Sequence, residues 1–299
     1  AEQARLHGLA ADRVLETYTP EDAIRSLADC LQQGDTVLIK GTLESRMERM
    51  VAGLLAQPEQ ASQVLVRQTA GWRKVRLKHP GRPTWLEVDL EAIAHNVRRV
   101  VEIVGPAVRV LAVLKADGYG HGAVRVARTV LNNGACCLGV ASINEGLALR
   151  RAGVSAPILA LGFTPAWQAH ELVLNDLSAT VFDLDVARAL DRAAGQLDSH
   201  VRVHIKVDTG MGRLGLLPDD VIPFVLTLRV LSHLTLEGIF THFSVADSDP
   251  GYTRWQVDRF RGVLDALARE GIEPPLVHAA NSAAILSLWA SPPDRLYPG

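Results

Sequence analysis

No apolar run in this sequence is long enough to cross a bilayer. The longest, such as Val110 to Leu114 and Ile158 to Leu161, are strand-sized, against the roughly 20 residues that a spanning helix needs. No membrane span is therefore expected. Residues Ala1 to Arg13 lack the basic start and apolar centre of a secretion signal and mix Glu, Gln, Arg, His and Asp instead. Cysteine is scarce: the 3 present are Cys30, Cys136 and Cys137. Two of them are neighbours, an awkward pair to bridge, so no disulfide framework follows and a reducing cytoplasm fits. Charge of one sign is missing as well. Lys and Arg number 31 against 33 Asp and Glu, a formal net charge of -2, without the basic excess that a nucleic-acid partner requires.

What is present is a packed, globular composition, 48% hydrophobic over 299 residues, enough for one large domain and a small additional piece. Thr19-Pro20-Glu21-Asp22 reads as a helix start, followed by Ile24, Leu27, Ala28 and Leu31 at helical spacing and closed by Gly34. Asp35 to Ile39 reads as a short buried strand, and Met47, Met50, Val51, Leu54 and Leu55 as a second helix. So small a segment does not enclose a core of its own. Residues 59–82, with Arg67, Arg73, Lys74, Arg76, Lys78 and Arg82 among Pro and Gly, read as a basic connector; an anionic partner is the other reading.

From residue 83 onward the pattern is regular. Leu86 to Leu90 reads as a lead-in strand, and Ile93, Val97, Val100, Val101 and Val104 as an amphipathic helix. Seven apolar strands then alternate with Ala-, Leu- and Arg-rich helical stretches: Val110 to Leu114, Cys137 to Ala141, Pro157 to Leu161, Ala179 to Phe182, Val201 to Val207, Leu236 to Phe240 and Leu276 to Ala280. This is the signature of repeated βα units on a parallel sheet. An eighth strand near Arg295 to Tyr297 would close a TIM-like (β/α)8 barrel. An open doubly wound sheet is the alternative, but the first strand lacks a G-x-G-x-x-G turn.

In such a barrel the reactive groups gather where the strands end. The first strand runs into Lys115-Ala116-Asp117-Gly118-Tyr119-Gly120-His121-Gly122 and the fifth into Asp208-Thr209-Gly210-Met211-Gly212-Arg213. The sixth ends in Thr241-His242-Phe243, the seventh in Asn281-Ser282, and the tail in Tyr297-Pro298-Gly299. A lysine whose stem is buried behind an apolar strand carries charge at a cost and becomes a nucleophile toward an aldehyde; a solvated rim lysine is the other reading of Lys115. The glycines let backbone approach a ligand, while Tyr119, Asn281, Ser282 and Gly299 offer phosphate donors. Arg213 supplies a fixed cation and His242 a flat ring, and together these suggest pyridoxal phosphate. His121 and His204 read as structural, Asp208 as a brace for its loop, and Lys206, if buried, needs a neutralising partner or a modification.

The blocks at 85–90, 113–122, 206–215, 241–243 and 281–284 resemble, in order, the alanine racemase family. The resemblance implies an alanine racemase barrel over 83–299, interconverting L- and D-alanine with pyridoxal 5'-phosphate. It implies that Lys115 holds the cofactor as a Schiff base and acts as the base on the D-alanine side. Tyr119 and Ser282 would bind the phosphate, and His242 would pack near the ring. Arg213 would hydrogen-bond the phenolic oxygen and lie beside substrate, and Lys206 matches a lysine that some members carry carbamylated. The family's second base is a tyrosine of a C-terminal β domain contributed across a homodimer, and that domain is expected to be absent here. Tyr297 stands where the family usually has Arg. A cofactor-binding barrel without racemase activity, or a serine racemase of the same family, are the other readings. Residues 34–51 resemble the end of the Mur ligase that adds D-alanyl-D-alanine, which makes 1–58 its C-terminal remnant and the whole a bifunctional fusion serving peptidoglycan synthesis.

Overall fold

The structure is a computed structural model that describes residues 8–10, 13–32, 34–41, 47–57, 60–61, 65 and 86–288. It divides into two compact units, 1–94 and 95–299. In the first, Thr19 Oγ1 accepts from the Asp22 N–H at 3.1 Å and Pro20 takes the first helical position, so α1 (Pro20–Ala28) starts at its sequence signal. It ends at Ala28, before Leu31. Gly53 of α2 (Glu48–Leu54) lies so near α1 that a Cβ there would stand 2.3 Å from Ile24 Cδ1. The strand expected at Asp35 to Ile39 is not formed. No described strand lies beside it to take its backbone hydrogen bonds, and Leu38 is 86% exposed.

The lead-in strand expected at Leu86 to Leu90 is replaced by a helix start. Asp89 Oδ1 accepts from the Glu91 and Ala92 N–H groups at 2.9 and 3.0 Å, and α3 (Leu90–Val104) begins one residue later. Leu86 and Val88 alternate correctly for a strand but have no partner strand among the described residues.

Seven strands follow, all parallel and paired in chain order: β1 (Val110–Val113), β2 (Ala135–Val140), β3 (Ile158–Ala160), β4 (Ser178–Val181), β5 (Val201–Lys206), β6 (Leu234–Phe240) and β7 (Leu276–His278). Sequential order without reversal removes the doubly wound alternative, which needs a switch point in the middle of the sheet. The eighth strand expected near 295–297 lies outside the described residues, as do Gly299 and most of 59–82.

Between the strands run α4 (Ala123–Asn132), α5 (Ile143–Arg151), α6 (Ala169–Leu174), α7 (Leu184–Gln196), α8 (Val221–Leu228) and α9 (Pro250–Arg269); α10 (Ser282–Leu288) follows β7. Each of α4, α5 and α7 buries one stripe, for example Val126, Ala127 and Val130 on α4 and Val186, Leu190 and Ala194 on α7. These meet strand residues buried on both faces, among them Leu138, Val140, Ile158, Val203 and Ile205. Burying side chains of that size contributes about 1.5–3 kcal/mol each, which fixes the strands and therefore the rim at their C-terminal ends.

Two bulges interrupt the ladders. Val110 pairs with Ala135 and Leu111 with Cys137, leaving Cys136 as the extra residue; Val203 pairs with Leu236 and His204 with Gly238, leaving Glu237. Bulges are rare in parallel sheets and re-aim the extra side chain.

Candidate functional site

The chain leaves β1 through a turn of the wrong hand. Ala116, Asp117, Gly118, Tyr119 and Gly120 have φ of 53, 55, 62, 57 and 82°, the left-handed region, which costs a non-glycine L-residue about 1–2 kcal/mol. Hydrogen bonds offset that cost. The Gly118 N–H donates to Leu114 O and the Gly120 N–H to Ala116 O, both at 2.9 Å. Asp117 Oδ1 accepts from the Ala123 N–H at 2.7 Å, joining the turn to the start of α4. His121 Nδ1 donates to Gly118 O at 2.9 Å, so its ring serves the turn.

Glu145 clasps this turn to the next strand. Its Oε1 accepts from the Ala116 N–H at 2.8 Å, while Oε2 accepts from Ala141 N–H at 2.7 Å and Ser142 N–H at 3.3 Å. The same residue completes the capping box of α5 with Ser142. The turn presents Lys115 and Tyr119 together, with Lys115 Nζ 5.6 Å from the Tyr119 ring centre.

Lys115 is exposed. The expectation that burial of its stem drives its reactivity is therefore corrected, because the turn lifts the side chain out of the wall. The lysine that burial does perturb is Lys206, 5% exposed at the end of β5, pushed down to about 8 by burial and by the neighbouring Arg213 charge. Its Nζ stands 5.3 Å over the Phe240 ring, and it forms no ion pair among the described residues.

The loop after β5 is held by Asp208, whose Oδ1 accepts from the Gly210, Met211 and Gly212 N–H groups at 2.8–3.0 Å. Those bonds, against the pull of burial, keep its carboxyl below the usual range. Tyr252 of α9 donates its hydroxyl to Gly210 O at 2.7 Å. At Gly215, φ is 126° and a Cβ would lie 2.8 Å from Asp208 N, so only glycine fits. Buried Gln256 of α9 donates to His242 O at 3.3 Å and accepts from the Ser244 N–H at 3.0 Å, fixing the loop after β6. Thr209 and Thr241 join the two loops at 2.8 Å.

His242 is where these exits converge electrically. Burial, then the charges of Lys206, Arg213 and Lys115, hold its imidazole down to about 4, so it is a neutral ring at pH 7. Asn281 uses its amide structurally, donating to Phe243 O at 3.2 Å and accepting from Ala284 N–H at 2.9 Å. The second hydrogen of that amide takes no part in these two bonds. Ser282 opens α10 and is exposed.

Below the rim lies a polar chain that the sequence did not suggest. Ser178 Oγ donates to Glu237 Oε2 at 2.9 Å, and His204 Nε2 meets the same oxygen at 3.0 Å. His204 Nδ1 lies 3.0 Å from His278 Nε2, and His278 stacks on Phe240 at 4.6 Å. Burial and His204 push His278 down to about 3. Glu237 reaches this chain because of its bulge.

The donor set fits a phosphorylated aromatic aldehyde. An exposed amine, three cations bearing on one neutral ring, and an adjacent acid already occupied by backbone N–H groups leave positive charge for an anionic ligand to neutralise. Gly120, Gly122 and Gly212 face open space where a Cβ would stand.

Residues 88–299 match the family description "Alanine racemase, N-terminal domain". The alanine racemase of Symbiobacterium thermophilum is 48% identical over 207 residues, 69% of this chain and 54% of that protein. Alanine racemase 1 of Oceanobacillus iheyensis is 45% identical over 208 residues, 69% and 55% respectively. Among solved structures, alanine racemase of Clostridium difficile 630 in complex with cycloserine superposes with a TM-score of 0.68 at 34% identity, covering 71% of this chain and 58% of that one. The Bacillus anthracis alanine racemase with bound L-Ala-P gives 0.65 at 40% identity, covering 69% and 53%. The chain thus spans about half the length of the relatives it matches.

Proposed function

The chain belongs to the alanine racemase family through that family's N-terminal domain, and on this premise we propose that it carries the cofactor-binding part of an enzyme interconverting L- and D-alanine. The family depends on pyridoxal 5'-phosphate. The observation that carries the reading is that the exits of β1, β5 and β6 bring the charges of Lys115 and Arg213 to bear on neutral His242.

Pyridoxal phosphate, when bound, supplies an aldehyde for the substrate amine and a conjugated ring that takes up the electrons of the Cα–H bond. Lys115 would hold the cofactor through its Nζ and would serve as the base that takes or returns the Cα proton on one face. The Tyr119 hydroxyl, Ser282 and Gly299 bind the phosphate, with Asn281 bracing that corner. Neutral His242 packs beside the ring without adding charge. Arg213 would hydrogen-bond the phenolic oxygen and lie beside the substrate. The Lys206 amine, about half unprotonated near pH 8, attacks carbon dioxide and loses a proton, and the carbamate pairs with Arg213.

Residues 83–299 form an eight-stranded barrel in this reading, and the second base comes from a tyrosine of a C-terminal domain across a homodimer. The motif at 34–51 supports 1–58 as the closing piece of a Mur ligase in a cytoplasmic fusion serving peptidoglycan synthesis, with 59–82 as linker. Upstream coding sequence with an ATP loop tests that part.

Loading with pyridoxal phosphate, reducing with borohydride and mapping the labelled peptide tests the assignment. The label is expected on Lys115, lost in Lys115→Ala and kept in His121→Ala. A label elsewhere overturns it.

A further inference from the structure

Near the N-terminal end of β2, at the opposite end of the strand from the rim, lie two thiols whose geometry no part of the racemase reading uses. In a regular strand, successive side chains point to opposite faces, which would hold neighbouring sulfurs apart. Here the bulge leaves Cys136 as the extra residue between the pairs Val110 with Ala135 and Leu111 with Cys137, and the two Sγ atoms lie 3.2 Å apart. Both thiols are partly exposed and neither is in a disulfide.

We propose that Cys136 and Cys137 form a two-point chelating site for a thiophilic trivalent centre of the arsenical class. The spacing selects among the things two thiols can do. Adjacent Cα atoms are about 3.8 Å apart, below the roughly 4.4 Å lower limit of ordinary disulfides, so the pair is a poor bridge. With bonds of about 2.3 Å to each sulfur, a 3.2 Å bite closes an angle near 90°. That is narrower than the roughly 109° of a tetrahedral zinc site. A metal wanting four ligands also lacks them, since no group of three or more metal-ligating side chains occurs among the described residues. A pyramidal trivalent centre needs only two sulfurs at a narrow angle.

The electrostatics help. The hydrogen bond from Cys137 and the Arg109 charge draw the Cys136 thiol down to about 6, while Cys137, keeping the shared proton, is pushed up. One sulfur is therefore already nucleophilic at pH 7. With an arsenoxide, the Cys137 proton and one taken from solvent, in place of the proton Cys136 has already lost, go to the oxide oxygen, which leaves as one water. Two S–As bonds replace the As–O bonding, and no atom changes oxidation state.

Titrating the full chain with phenylarsine oxide tests this. One equivalent is expected to bind, to survive excess monothiol and to be released by 2,3-dimercaptopropanol. Cys136→Ser and Cys137→Ser are each expected to weaken binding at least about 100-fold by removing the chelate, and Cys30→Ser to leave it unchanged. In the loaded wild-type chain, iodoacetamide is expected to modify Cys30 and to spare Cys136 and Cys137, a readout that does not depend on a variant folding. Release by monothiol, binding that survives either single substitution, or undiminished alkylation of Cys136 in the loaded chain overturns the proposal.

Discussion

His242 and His278 are two imidazoles kept neutral by their surroundings, and acid works against both. Each would titrate near 6.5 in an unfolded chain, yet the fold holds them to about 4 and about 3. Between those values and 6.5 the unfolded chain binds protons that the folded chain refuses. Stability therefore rises with pH through this window and is lost as pH falls. His242 is partly solvated and its share is screened, so His278 dominates. His278→Gln is expected to flatten the slope of unfolding free energy between pH 4.5 and 6 by up to about 1.4 kcal/mol per pH unit, read by urea titration at each pH. An unchanged slope would show that His278 does not titrate on unfolding. At this scale the sequence was informative about Asp208, because a carboxylate ahead of Gly-Met-Gly has backbone N–H groups to accept. At Lys115 the preceding apolar strand left a buried stem and a solvated rim position both open, and the exposed side chain takes the second because of the way the turn winds.

Among the elements, the left-handed turn after β1 depends on a residue of another βα unit. Glu145 accepts from Ala116 on one strand exit and from Ala141 and Ser142 on the next. Glu145→Gln replaces one acceptor oxygen by a donor, so one of these connections is lost, at roughly 1.5–3 kcal/mol for a bond to a charged group. Amide exchange at Ala116 or Ala141 is expected to quicken about tenfold or more in the chain without cofactor. Ser142→Ala removes the helix cap, about 1 kcal/mol, but spares the clasp, and Ala116 exchange is expected to stay slow. Equal effects in both variants would reduce Glu145 to a cap. The Ser-x-x-Glu spacing at 142–145 was readable in sequence as a capping box, whereas its second use was not, because it joins residues 29 apart in the chain. Glu237 and Cys136 escaped for a related reason: a bulge is a property of strand register, which neighbouring strands set. Leu86 to Leu90 and Asp35 to Ile39 had strand-like patterns, but among the described residues neither has a partner strand to take its hydrogen bonds. Asp89, a good N-cap, was the signal that competed.

For the whole molecule, the order β1 to β7 was legible because each apolar run is bounded by helical stretches, and parallel pairing in chain order follows from repeated βα units. The division into units 1–94 and 95–299 cuts within α3, a boundary that composition alone placed earlier. The proposed chemistry separates by face. With pyridoxal phosphate and D-alanine in deuterated water, a polypeptide of residues 1–299 is expected to exchange the Cα proton with little inversion, because Lys115 serves one face. Proton NMR and chiral chromatography read the two outcomes separately. Inversion at the rate of exchange would place a second base within these residues, and no exchange at all would leave a cofactor binder.

The hand of the turn after β1 also says which enantiomer its backbone prefers. At φ 53 and ψ 52°, Ala116 occupies the mirror image of an ordinary helical conformation. A D-alanine residue built into position 116 by chemical ligation would sit there unstrained, and is expected to raise stability by about 1 kcal/mol where L-alanine is strained. A protein proposed to handle both mirror forms of alanine thus contains, one residue past its reactive lysine, a site in its own chain where the D form fits better.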